Sequence, residues 1–265
     1  MGAGGIHPTA IVSGGANIAD GALIGPYCVI GDGATIAAGA ELKSHVVVDG
    51  RVTVGARTVV HAFTTLGGPP QHLGALKDDA ELVIGADCLI REQASIHLGT
   101  KAGGGKTVIS DGAFVMSAAH IGHDCFIGPG AVVASNASLG GHCIVEEGAF
   151  LGGLAALHQR VRVGAYAIVG GAAAVDRDVI PFGSAFGNRA RLNGLNIIGL
   201  KRRGTSRDVI AAMRLAYQEL FHGDGVFADR LVAVAAAHGE VAEVRRIVDF
   251  IVEGGARPVL GPGRD

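Results

Sequence analysis

The chain has 265 residues, enough for one large domain or two small ones, and a formal net charge of −2 with no basic stripe interleaved with aromatics, so nucleic acid is not an expected partner. Hydrophobic residues make up 49%, yet the longest apolar run, around Val163 to Val175, is too short and too glycine-broken to span a bilayer. Met1 to Gly5 leads straight into patterned sequence without a secretory signal, so a cytoplasmic protein is expected. The 44 glycines and the absence of tryptophan suit thin repeated coils better than a bulky core.

From the N-terminus, aliphatic residues recur every six positions: Ile6, Val12, Ile18, Ile24 and onward to Leu66, then Ile84, Ile90 and Ile96, then Ile109 and every sixth residue to Val175. Four residues after each comes a small or β-branched side chain, such as Ala22, Ala34, Ala113 or Ala131, so both positions face inward. Glycine and proline fill the places between, where a corner needs an unusual or fixed φ. Three such units make an eighteen-residue triangular coil, and twenty-six units make nearly nine coils of a parallel β-helix about 4.8 Å apart. An α/β sheet would need helical crossovers between its parallel strands, and the pattern offers none before residue 200. Cys28, Cys88, Cys125 and Cys143 all fall on the small interior position and are expected to be reduced core residues.

Two interruptions, near 67–83 and 97–108, are expected to be loops on this scaffold. Gly105, Lys106 and Thr107 in the second imitate the end of a phosphate-binding loop, but Thr100 stands where the first glycine belongs and no strand-to-helix context follows. Beyond Val179 a helical rhythm replaces the hexad: Val209, Met213, Ala216 and Leu220 form one stripe behind the cap candidate Ser206, and Val241, Val244, Val248 and Ile251 another. The expected organisation is a β-helix over 1–190 and a C-terminal α-helical domain over 191–265 that blunts its open end.

Chemistry concentrates in the last block. His120, His123, His142 and His158 share one edge of the coil. By eighteen-residue arithmetic His142 stacks over Asp124, and Gly141 lies directly above His123. Imidazole accepts protons at neutral pH, so the edge suits general-base catalysis, with Asp124 holding a tautomer and the Gly141 amide donating to a developing oxyanion. The bland reading is a row of solvated histidines; a metal site of the γ-type carbonic anhydrase kind is the sharper rival.

The segments HPTAIV (7–12), LKSHVVVDG (42–50), IREQASIHLGT (90–100), HIGHDC (120–125), LGGH (139–142), LHQ (157–159) and GLNIIGLKRRG (194–204) together resemble the UDP-N-acetylglucosamine O-acyltransferase family. The resemblance covers essentially the whole chain. It implies a mainly β fold, a left-handed parallel β-helix with a C-terminal helical domain, working as a homotrimer with sites between subunits. It further implies transfer of an (R)-3-hydroxyacyl group from acyl carrier protein to the 3-hydroxyl of UDP-N-acetylglucosamine, the first step of lipid A synthesis, with no metal and no cofactor beyond the carrier's phosphopantetheine arm. On this resemblance His123 is the base and Gly141 the oxyanion donor, while Asp124, read from the stacking alone, holds the tautomer or stabilises the imidazolium. Gln71, His120, His142 and His158 surround the sugar and acyl donor, and His72 is a substrate-binding candidate at a position where the family carries a carboxylate. Gln159, Asn196, Arg202 and Arg203 meet the nucleotide, while Gly153 and Gly171 line the acyl pocket, the bare Gly171 leaving room for a longer chain. Arg160 and Arg162, beside the groove, are candidates for meeting the acidic carrier.

The sequence departs from the family pattern at His72 and Gly74 in the first loop, and at Leu98, Arg189 and Ile198. His72 replaces a carboxylate near the reacting sugar, which keeps the 3-amino sugar nucleotide, and hence an amide product, as an alternative acceptor. A β-helix that only binds sugar nucleotide or carrier protein is the alternative from another class.

Overall fold

The computed structural model describes residues 5–71 and 80–263. Each hexad forms a short strand closed by a turn, because one inward aliphatic per unit is all that a side of this narrow coil can bury. In Leu23–Ile24, Val29–Ile30 and Thr35–Ile36 the second residue points inward and is at most 2% exposed. Each fully buried aliphatic of this kind contributes about 1.5–3 kcal/mol. Successive strands join three different sheets, so every third strand is a neighbour, giving sheets of eleven, nine and eight strands among the described residues. Among the described residues twenty-six such strands run from Gly5–Ile6 to Ala174–Val175, matching the twenty-six hexads.

The ladders are parallel and eighteen residues apart, as in Leu23 with Glu41 and His120 with Ser138. The interruptions stretch this spacing. Val54 pairs with Ile84, thirty residues on, and Ile84 with Ile109, twenty-five on, so the ladder is in register on both sides of each interruption. The four cysteines are free and buried; the Cys125 and Cys143 thiols donate to the Gly140 and His158 carbonyls of the next coil, both at 3.2 Å.

At the corners the chain must turn sharply, and among the described residues fifteen other than glycine take a left-handed φ. Asp124 (58°), His142 (61°) and Arg160 (66°) are the same corner position in three successive coils. An L-residue there costs about 1–2 kcal/mol, offset by the ladder bonds on either side.

After Val175 a parallel strand, Gly183–Phe186, is followed by an antiparallel one, Arg191–Leu195, which closes the eleven-stranded sheet. Four helices follow: α1 (Ile197–Arg202), α2 (Arg207–His222), α3 (Phe227–His238) and α4 (Ala242–Glu253). Asn196 caps α1 by accepting from the Gly199 N–H at 3.0 Å, and Ser206 caps α2 by accepting from the Val209 N–H. The inward stripe of α2 includes Met213, Ala216 and Leu220, and that of α4 Val244, Val248 and Phe250. Among the described residues no helix is long and apolar enough to cross a membrane.

One expectation is corrected here. Arg162 is not available to a carrier protein: its Nε donates to the buried Asp178 carboxylate at 2.7 Å, its Nη2 to the Phe250 carbonyl at 3.0 Å, and its guanidinium lies 4.0 Å over the Phe250 ring. It fastens α4 to the coil. The sequence hid this because Asp178 lies just past the last hexad, where eighteen-residue arithmetic no longer predicts neighbours.

Candidate active site

The corner between the nine- and eight-stranded sheets carries His123 and Asp124, and one coil on it carries Gly141 and His142. His123 is 8% exposed, and its Nδ1 lies 2.7 Å from Asp124 Oδ2. Asp124 is oriented in turn. Its Oδ1 accepts from the Thr100 N–H at 2.8 Å, its Oδ2 from the Thr100 hydroxyl at 2.7 Å, and its own N–H donates to Thr107 Oγ1 at 2.8 Å. A carboxylate so held fixes the imidazole with Nδ1 as donor and leaves Nε2 as acceptor.

That nitrogen faces Gly141. A Cβ on Gly141 would stand 2.5 Å from His123 Nε2, so only glycine allows the two corners to approach this closely. The Gly141 carbonyl accepts from the Arg160 N–H at 3.0 Å. Its own N–H has no hydrogen-bond partner among the described residues, and a polarised oxygen near His123 would supply one.

His142 sits edge-on to His123, ring centroids 5.0 Å apart, with its Nε2 3.8 Å from Asp124 Oδ2. Burial lowers its pKa against the opposing pull of Asp124, and Arg160 and His123 lower it further. His120, on the adjoining strand, bonds Ser95 Oγ through Nδ1 at 2.9 Å. Its pKa is lowered first by burial and then by His97, whose ring lies 5.0 Å away. His158 and Gln159 occupy the same corner one further coil along, both exposed. The ligand atoms of His123, Asp124 and His142 lie within 4.8 Å of one another, near enough for a metal ion. However, Asp124 Oδ2 already accepts from both Thr100 and His123.

The other expected residues lie elsewhere on the protomer. Asn196 donates to the Tyr166 carbonyl at 3.0 Å, and the Arg203 guanidinium lies 3.3 Å over the Tyr166 ring, at the corner between the eight- and eleven-stranded sheets. Arg202 is exposed at the end of α1. Gly153 and Gly171 fall on the third corner, stacked in a column with Ser117 and Ser135, and a Cβ on Gly171 would meet only the Gly153 carbonyl, at 3.3 Å. Gln71 is exposed at the start of the first loop; His72 and Gly74 lie outside the described residues.

Sequence reasoning missed Thr100, Thr107 and His97. Thr107, the last residue of the false phosphate-loop signature, is fully buried on the strand Lys106–Ile109 and supports Asp124.

Comparison with known proteins identifies the family and the fold. The model "Udp N-acetylglucosamine O-acyltransferase; Domain 2" matches residues 178–259, and the bacterial transferase hexapeptide model residues 118–153. An acyl-[acyl-carrier-protein]--UDP-N-acetylglucosamine O-acyltransferase of Azorhizobium caulinodans is 48% identical over 98% of this chain and 96% of its own length. The chain belongs to the UDP-N-acetylglucosamine O-acyltransferase family. It is therefore an acyltransferase, and its family relative of the same name in Caulobacter vibrioides is 53% identical over 78% of this chain and 79% of its own. Solved structures of the family superpose closely. The Moraxella catarrhalis UDP-N-acetylglucosamine O-acyltransferase gives a TM-score of 0.93 at 34% identity, covering 96% of this chain and 99% of that one. The Francisella novicida UDP-N-acetylglucosamine acyltransferase gives 0.93 at 32%, covering 96% and 93%. The left-handed β-helix with a C-terminal helical region, expected from the repeats and the resemblance, stands.

Proposed function

We propose that this acyltransferase moves an (R)-3-hydroxyacyl group from acyl carrier protein to the 3-hydroxyl of UDP-N-acetylglucosamine, the opening step of lipid A synthesis, by direct attack on the thioester. The observation that carries the reading is the Asp124–His123 pair with Gly141 packed one coil above the His123 Nε2 edge. Asp124 accepts from Nδ1–H, so His123 Nε2 takes the proton of the acceptor hydroxyl as its oxygen bonds to the thioester carbonyl carbon. The carbonyl oxygen gains the charge, and the Gly141 N–H donates to it. Collapse of the tetrahedral adduct breaks the carbon–sulfur bond, and the proton on His123 passes to the departing pantetheine sulfur. The ester and the free thiol are the products, and no acyl-enzyme is needed.

Three groups of residues on three corners favour a homotrimer with shared sites. His123, Gly141 and His158 lie on one corner of the coil and Asn196 and Arg203 on another, and a three-fold packing of corners would bring the two groups together between subunits. Gln71 and His120 would then border the sugar, and Gln159 the nucleotide. The small column at Gly153 and Gly171 leaves length for a long acyl chain.

Mass spectrometry of products from mixed acyl-carrier donors offered with both sugar nucleotides tests the reading. Ester products on UDP-N-acetylglucosamine with long chains are expected. Amide products in large excess would move the acceptor to the 3-amino sugar, and a strong preference for ten-carbon donors would remove the argument from Gly171.

A further inference from the structure

The C-terminal segment does more than close the coil. After α4 the chain passes Gly254 and Gly255, where a Cβ on Gly255 would stand 2.5 Å from the Asp178 carboxylate and 2.6 Å from Arg162. It then runs along Asp178: the Asp178 N–H donates to the Pro258 carbonyl at 3.0 Å, and the Leu260 N–H to the Asp178 carbonyl at 2.7 Å, with Leu260 fully buried. Pinned on both sides, this segment carries Arg257 to the catalytic corner, 99 residues away in sequence. There its Nε donates to the Gln159 carbonyl at 3.1 Å, and its Nη2 contacts His158 Nδ1.

We infer that Arg257 is a positioning residue that locks His158 in the tautomer with its proton on Nε2. The argument is one of donors and acceptors. A guanidinium has five N–H donors, no acceptor, and no accessible neutral form, so a nitrogen bonded to it must offer a lone pair. His158 Nδ1 is then unprotonated, and the neutral ring carries its hydrogen on Nε2. The rival arrangement, an Nδ1–H pointing to the Gln159 carbonyl at 3.3 Å, sets a hydrogen against the guanidinium and competes for an oxygen that Arg257 already uses. Held this way, His158 presents an N–H outward, one coil beyond Gly141. Such a group donates to an oxygen of the acyl donor and does not take a proton from it. Two histidines on one corner thus receive opposite assignments: Asp124 makes the outer nitrogen of His123 an acceptor, and Arg257 makes that of His158 a donor.

The inference rests on the proposed acyl-carrier reading for what His158 donates to, but not for the tautomer itself. Two measurements separate them. Nitrogen-15 NMR of the histidine rings, with His158 assigned by its loss in His158→Gln, is expected to show wild-type His158 protonated at Nε2 and a mixture of tautomers in Arg257→Ala. Steady-state assays are expected to show KM for the acyl-carrier donor raised about tenfold in Arg257→Ala with kcat much less affected, and largely restored in Arg257→Lys. Melting temperatures of the three proteins are expected to agree, because Leu260 and Asp178 still anchor the segment. A wild-type His158 protonated at Nδ1, or a tautomer mixture unchanged between wild type and Arg257→Ala, overturns the inference whatever the substrate. An Arg257→Ala enzyme with the NMR change but unaltered KM overturns the role in donor binding. Absence of any acyl transfer by wild type would instead overturn the proposed function and leave the NMR result standing.

Discussion

At the scale of single residues, the site is a set of commitments made by hydrogen bonds. On the proposed mechanism His123→Ala removes the general base, and kcat is expected to fall about 100- to 10,000-fold in a steady-state assay, with the melting temperature unchanged. Gly141→Ala tests the other half. Its methyl would overlap His123 Nε2, so the ring must swing from Asp124, and activity is expected to drop by about two orders of magnitude while the fold persists. If Gly141→Ala retained full turnover, the close approach would have no part in catalysis. Acidity acts on the neighbours. His120 and His142 titrate below the ordinary histidine value of about 6.5, both mainly through burial. Depressed values mean that the unfolded chain binds more protons, so their contribution is fully present above pH 6.5 and is lost as pH falls through the folded values. Melting curves from pH 7.5 to 5 are expected to show declining stability, with a shallower decline in His142→Gln.

At the scale of elements, the hexad was legible at all twenty-six strands because one aliphatic must point inward on each, whatever else changes. The same eighteen-residue arithmetic pairs His142 with Asp124 and Gly141 with His123 from the sequence alone. It failed where the chain leaves the coil. Thr100 and Thr107 reach Asp124 through an interruption that stretches the pairing to twenty-five residues, so no fixed offset marks them as its partners. Arg257 arrives from beyond the helices, and Arg162 looked free because Asp178 lies past the last hexad. Asp178 holds the Arg162 guanidinium that reaches the Phe250 carbonyl of α4. Asp178→Ala strands a nearly buried guanidinium, and denaturant unfolding is expected to show a loss of about 3–5 kcal/mol.

At the scale of the whole molecule, the proposed division of site residues among three corners makes shared catalysis between subunits a testable expectation. Mixing His123→Ala with Arg203→Ala subunits, each inactive alone, is expected to restore measurable turnover after co-refolding, since some corners would then pair an intact His123 with an intact Arg203. No recovery would place both residues in one protomer's site. The His123, Asp124 and His142 cluster sets a second global test: chelator dialysis is expected to leave turnover unchanged, because Asp124 is spent on Thr100 and His123.

The regular coil also gives the sequence a phase, much as codons give one to a message. Removing six residues between His123 and Gly141, for instance 128–133, keeps every downstream aliphatic pointing inward, so the core survives. Every later side chain, however, advances by one face. Gly141 would travel to a different corner from His123, and such a deletion would leave a well-folded rod in which the two halves of the catalytic centre look in different directions.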